Sequence, residues 1–261
     1  MADSSQAGKN LLPPGSTLVI DLGGTYFKAG LVTNDGIAAQ LPPLPTPYPV
    51  TPQTLVHTIG RIAEELPGYT RAAIGFPGVV RDGQVRYIHA FTRPAPGRMA
   101  TEELKAAWDN IALHDLVQAH LDVPVLVAND ADMMGAALIE GRGMELVLTL
   151  GTGVGNALYY DGVLLPHLEI SHGPFEDGLD FNAALSDLEL KRIGIARWNA
   201  RLGRAIERLD DMLLFDRCHI AGGNSRHVQL LQRNGVSIAE PVAAMLGGAH
   251  LWQLQARGGR Q

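Results

Sequence analysis

The 261-residue chain has a single cysteine, Cys218, and no run of lysine or arginine. One cysteine excludes an internal disulfide and a cysteine-rich zinc site, so no structural zinc is expected, and a reducing compartment suits it. Lys and Arg total 21 against 27 Asp and Glu, a net charge of −6, which lacks the footprint of a nucleic-acid binder. No apolar stretch nears the ~18 residues that a membrane span requires. The opening residues 1–8 are polar and do not read as a signal peptide. The expectation is a cytoplasmic protein with neither nucleic acid nor membrane as partner. Aromatics reach only 6%, yet 46% hydrophobic and 18% charged residues are ample for one large domain or two of ordinary size.

What is present reads as an α/β chain. After a loose stretch over 1–16, apolar alternation predicts strands over 17–22 and 26–33, then the Asn34-Asp35-Gly36 turn and a third strand. Residues 41–52 carry six prolines, which read as a stiff extended connector or as a docking motif for a proline-reading partner. Helical spacing follows over 51–66, a strand over 71–76, a largely helical 102–121 and a strand over 123–128. The second half repeats the start: strands over 144–150 and 156–161 flank a glycine turn. A long helix bears Trp198, Leu202, Ala205, Ile206, Leu209 and Leu213, a strand spans 217–221, and a small-residue helix spans 242–251. The expected division is an N-terminal lobe over 17–128 and a C-terminal lobe over 129–261.

Two glycine turns, Asp21-Leu22-Gly23-Gly24-Thr25 and Leu150-Gly151-Thr152-Gly153-Val154-Gly155, hold matching places in the two halves. Three glycines within five residues exceed what a hairpin needs and expose successive N–H groups suited to phosphate oxygens. A dinucleotide fingerprint would place a helix directly after the turn, and a P-loop would read GxxxxGK[ST]; neither context is here. Between the turns, Asn129-Asp130-Ala131-Asp132 follows a strand, where a carboxylate can take the proton of an attacking hydroxyl. Asn129 or Asp130 also suits a helix N-cap, and Asp132 a helix start favoured by the macrodipole. His167, Glu169 and His172 could ligate a metal, but their spacing in a loop is nonspecific.

The Asp21 turn, Gly75-Phe76-Pro77-Gly78, Asn129-Asp130-Ala131-Asp132, the turn at 150–155 and Ala221-Gly222-Gly223-Asn224-Ser225 occur in the order found in ROK-family sugar kinases. The chain resembles that family over roughly 17–252, and the stretch 148–172 looks most like the polyphosphate/ATP-glucokinase branch. The resemblance implies the two-lobed actin-like ATPase (ribonuclease H-like) fold, each lobe a mixed sheet flanked by helices with a cleft between. It implies a hexose kinase, with glucose the expected sugar and ATP or polyphosphate the donor. By the resemblance, Asp130 is the catalytic base, and Asn129, Glu169, His172 and Gly78 contact the sugar. Asp21, Gly23, Gly24 and Thr25 form the first phosphate motif, with Asp21 facing Mg²⁺ through water. Gly151, Thr152, Gly153 and Gly155 form the second, and Gly222 and Gly223 lie against the nucleotide. A homodimer is implied as well.

Two positions depart from the pattern. Ser171 stands where relatives have glycine, and Thr92 where an asparagine touches the sugar, a change able to redirect specificity. Arg93 beside it could meet an acidic or phosphorylated substrate. A catalytically weak sugar sensor is the alternative expectation; family members that regulate transcription carry an N-terminal helix-turn-helix, which 1–16 is not expected to supply.

Overall fold

The computed structural model describes residues 15–229, 235–239 and 243–258. The first half runs β1 (Thr17–Leu22), β2 (Tyr26–Thr33), β3 (Gly36–Gln40), β4 (Leu44–Pro45), α1 (Pro52–Glu65), β5 (Arg71–Phe76), β6 (Gly78–Arg81), β7 (Gln84–Ile88), α2 (Glu102–Trp108), α3 (Leu113–Leu121) and β8 (Val125–Asn129). The second half runs α4 (Asp130–Gly135), β9 (Met144–Leu150), β10 (Val154–Tyr160), β11 (Val163–Leu164), α5 (Phe181–Leu185), α6 (Asp187–Ile193), α7 (Ile195–Leu213), β12 (Arg217–Ala221), β13 (Val236–Ile238) and α8 (Ala243–Gly258).

The two halves build the same sheet. The first has the order β3-β2-β1-β5-β8, with β4 added to β2; the second is β11-β10-β9-β12-β13. In each, an antiparallel pair on one side of the leading strand is matched by parallel strands on the other. The leading strand is buried on both faces, as its unbroken apolar runs require. On β1, Leu18, Ile20 and Leu22 join the core under α1 and α3, while Val19 faces a second core with Met133, Met245 and Ala249. The second sheet packs Leu146, Leu148 and Leu150 against Trp198, Leu202 and Ile206 of α7.

Two helices lie between the sheets. The expected lobe boundary at 128/129 falls at the end of β8, and α4 then packs on β5 as well as on β9 and β10. Helix α8 returns to the first sheet. It packs on β1, β2 and β5, and its Trp252 indole N–H donates to the Ala72 carbonyl at 3.2 Å. Gly247 permits this, because an added Cβ would stand 1.9 Å from the Met133 carbonyl oxygen.

Three local departures have simple causes. The expected helix over 102–121 is two helices, because Asn110 adopts the left-handed conformation (φ 52°) between them. The β6–β7 hairpin, absent from the sequence reading, turns at Asp82 and Gly83, both at positive φ. The proline-rich connector is extended, but it also docks: β4 pairs with Tyr26 and Phe27, fixing residues 46–48 against the first glycine turn.

Candidate active site

Three parallel strands deliver their carboxyl ends to one edge of the first sheet. The register places Asp21 beside Gly75, Gly75 beside Ala128, and Phe76 beside Asn129. Ala128 thus lies two strand spacings, about 10 Å, from Asp21 at ~4.8 Å each, and Asp130 follows two residues later. Asn129 caps α4, its Oδ1 accepting from the Ala131 N–H at 2.8 Å, and its Nδ2 donates to the Gly78 carbonyl at 3.2 Å. The same Ala131 N–H also reaches Asp130 Oδ1 at 2.9 Å. The asparagine is thus tied to the Gly78 turn through groups that the sequence reading assigned to a sugar.

Half-buried Asp130 has its carboxyl raised to about 7. Burial is the main cause, helped by the charges of Asp21 and Asp132; the Ala131 N–H and His167 act the other way. Burial likewise pushes the Asp21 carboxyl up, and Lys28, its cross-strand neighbour at 3.6 Å, opposes the shift. Asp21 is a buried hard-oxygen donor within charge range of Asp130, which fits a Mg²⁺ held by one or two carboxylates and substrate phosphates. Among the described residues, no cluster of three His, Cys, Asp or Glu is placed to hold a metal by itself.

Both glycine turns have their carbonyls tied back. In the first, Thr46 Oγ1 donates to Gly23 O at 2.7 Å, Tyr48 Oη to Gly24 O at 2.9 Å, and Thr46 N–H to Thr25 O at 3.1 Å. In the second, the Gly151 carbonyl accepts from Asn224 Nδ2 at 3.2 Å and from Asp187 N–H at 2.9 Å, while Asn182 Oδ1 takes the Val154 N–H. The N–H groups of Gly24, Thr25, Thr152 and Gly153 have no partner among the described residues. These open donors, on partly exposed backbone, suit phosphate oxygens. Gly222, at φ 89°, backs the second turn so closely that a Cβ would meet Leu150 O at 2.4 Å, while Gly223 borders open space. Gly222 thus packs on Leu150, and the open space beside this turn lies at Gly223.

Glu169 and His172 lie on the loop after β11. His172 is exposed, and its ring meets the Tyr87 ring of β7 edge-on at 5.8 Å. Glu169 is held below the usual carboxylate range chiefly by its interaction with His167, with His172 and His89 adding to it. His89 pairs with Arg93. Thr92, at the place of the expected asparagine, is buried, and its hydroxyl donates to the His89 carbonyl at 2.9 Å. Ser171 is buried too. A cavity of about 400 Å³ is lined by His172 and residues 174–180; Asp130 is not part of its wall.

One part of the site escaped the sequence reading. Asp132, taken for a helix-start residue, pairs with His167 Nδ1 at 3.0 Å, and both side chains are buried. They stand 35 residues apart, with no local pattern to join them.

The sequence model of the ROK family matches residues 17–168. The chain belongs to the ROK family. It is similar to a polyphosphate glucokinase of Mycobacterium leprae, 27% identical over 219 residues that span 79% of this chain and 63% of that relative. Among solved structures it is similar to an inorganic polyphosphate/ATP-glucomannokinase from an Arthrobacter species, at TM-score 0.75 and 26% identity, covering 93% of this chain and 100% of that one. A ROK-family transcriptional regulator, a homologue of the Escherichia coli MLC protein, shares the fold at TM-score 0.65 and 16% identity, covering 93% and 78%. The doubled sheet is that of the two-lobed actin-like ATPase fold. No helix of the described residues is long and apolar enough to cross a membrane.

Proposed function

We propose that this protein is a hexose kinase, moving a phosphoryl group from ATP or polyphosphate to a sugar hydroxyl, with glucose the first candidate. The observation that carries the reading is Asp130, a carboxylate raised to about 7 at the end of β8. A base poised near neutral pH is suited to take a hydroxyl proton. As the sugar oxygen bonds to phosphorus and the donor's bridging P–O bond breaks, the proton passes to Asp130 and the leaving phosphate keeps the electron pair. Glu169, His172 and Asn129 would hold sugar hydroxyls, and the Gly78 turn would shape the floor beneath them. The open N–H groups at Gly24, Thr25, Thr152 and Gly153 would hold the phosphates, with Gly23, Gly151 and Gly155 shaping the two turns. Gly222 and Gly223 would admit a nucleoside. Asp21 would hold Mg²⁺ through water, and that ion would offset phosphate charge.

The lobes 17–128 and 129–261 would close on the substrates, with α8 spanning both. A cytoplasmic homodimer completes the proposal. The test is sugar-dependent phosphorylation across a hexose panel, with Mg-ATP and polyphosphate run in parallel. Turnover with one hexose supports the reading; silence with every pair refutes it. A second reading is a catalytically weak sugar sensor, in which the internally engaged Thr92 hydroxyl and Asn129 amide leave the sugar held too loosely for efficient transfer. It predicts sugar-induced thermal stabilisation with little or no phosphorylation.

A further inference from the structure

His167 stands between two carboxylates that the scheme above treats separately. Its Nδ1 lies 3.0 Å from Asp132 Oδ1, and its Nε2 lies 3.7 Å from Glu169 Oε1, an ion-pair separation. Burial pushes the Asp132 carboxyl up, and the charged ring opposes that shift; with Asp132 ionised, Nδ1 donates to it and a protonated Nε2 faces Glu169 across an ion-pair gap, the arrangement of an imidazolium. The side chain is only 5% exposed, as is that of Asp132, whereas Glu169 keeps 30% of its side chain open.

The backbone around the ring is pinned as well. Arg81 Nη2 of β6 donates to the His167 carbonyl at 3.2 Å, and Asn156 Nδ2 of β10 donates to the Leu168 carbonyl at 2.8 Å. On the other side, the Tyr159 hydroxyl donates to the Asp132 carbonyl. The charged groups that act on this ring are Asp132 of α4 and Glu169 of its own loop, and Asp130 of α4 feels its charge; Arg81 of β6 and Tyr159 of β10 instead hold the backbone carbonyls of His167 and Asp132. Asp132 lies two residues after Asp130 on the same helical turn.

Resting on the kinase reading, we propose that His167 is a positioning residue that, as an imidazolium, ties the sugar-facing carboxylate of Glu169 to α4 and so fixes it relative to Asp130. The arrangement holds a hydroxyl-gripping group and the base as one unit, which matters because small misplacements of reacting groups cost large factors in rate. Burial works against the ring's charge, but Asp132 and Glu169 outweigh it and raise the imidazole to about 9. The clamp therefore holds at neutral pH and is lost as pH rises through about 9. The cation also holds the Asp130 carboxyl lower than it would otherwise stand.

The experiment combines His167→Gln with ring titration by nitrogen-resolved NMR of the wild-type protein. The expected results are both ring nitrogens protonated at pH 7.5, and for the variant a sugar KM raised roughly 10-fold with donor KM unchanged. The acidic limb of the variant's kcat profile moves to higher pH. Should His167→Gln fail to fold, the Asp132→Asn/His167→Gln pair, which leaves no lone buried charge, takes its place with the same expected rise in sugar KM. A neutral wild-type ring at pH 7.5, or an unchanged sugar KM in an active variant, overturns the inference. Loss of the kinase reading is distinguishable: the wild type would then phosphorylate no sugar, while its ring state would still report whether the clamp exists.

Discussion

At the scale of the residue, Asp130 sets a conflict between stability and chemistry. Its raised carboxyl means that the folded chain holds a proton the unfolded chain would release, so protonation stabilises the fold below the ordinary carboxylate value of ~4 and that contribution is lost as pH rises through about 7. Asp130→Asn should therefore raise the melting temperature at pH 8, by roughly 1–3 kcal/mol of stability, while lowering kcat at least ~10²-fold. Calorimetry and a rate measurement on one preparation check both. In the wild type, kcat/KM should climb with pH and level off above about 7, because the base must be ionised to act. A profile falling over that range would reverse the assignment. The departures at Thr92 and Ser171 belong to this scale too. Both side chains are buried, and the Thr92 hydroxyl donates to the His89 carbonyl.

At the scale of the element, the proline-rich connector is a brace for the first glycine turn. Thr46 and Tyr48 hold three successive carbonyls, which frees the N–H groups of Gly24 and Thr25. Tyr48→Phe removes one of these bonds. It should cost about 1 kcal/mol and raise the KM for the donor several-fold, with the sugar KM unchanged in steady-state kinetics. Most strands, both glycine turns and the place of Asp130 after a strand were legible in the sequence, because alternation and turn chemistry act locally. The β6–β7 hairpin also carries a local signal, Asp82-Gly83 between Val79-Val80 and Val85. The Asp132–His167 pair was not legible, since spacing along a chain carries no trace of a contact 35 residues distant. The brace at Tyr48 was hidden for the same reason, although the stiffness of its segment was plain.

At the scale of the whole molecule, α4 and α8 are what the two sheets share. The sequence showed a doubled pattern and a terminal helix of small residues; it could not show that this helix returns to the first sheet, because an apolar face does not name its partner. Gly247 makes the return possible. Gly247→Ala places a methyl group against the Met133 carbonyl, and should lower the melting temperature by about 5–10 °C through overpacking, read by thermal denaturation. The backbone under Asp130 would shift with α4, so activity should fall further than the loss of stability alone explains.

The claim that joins these scales is that Asp130 removes the proton of a sugar hydroxyl during phosphoryl transfer. Its most direct test is single-turnover transfer of labelled phosphate to sugar by the wild type and by Asp130→Asn, at matched sugar occupancy. The account predicts transfer by the wild type and at least a ~10²-fold slower step in the variant, with sugar affinity largely kept. Equal transfer rates in the two proteins would contradict it.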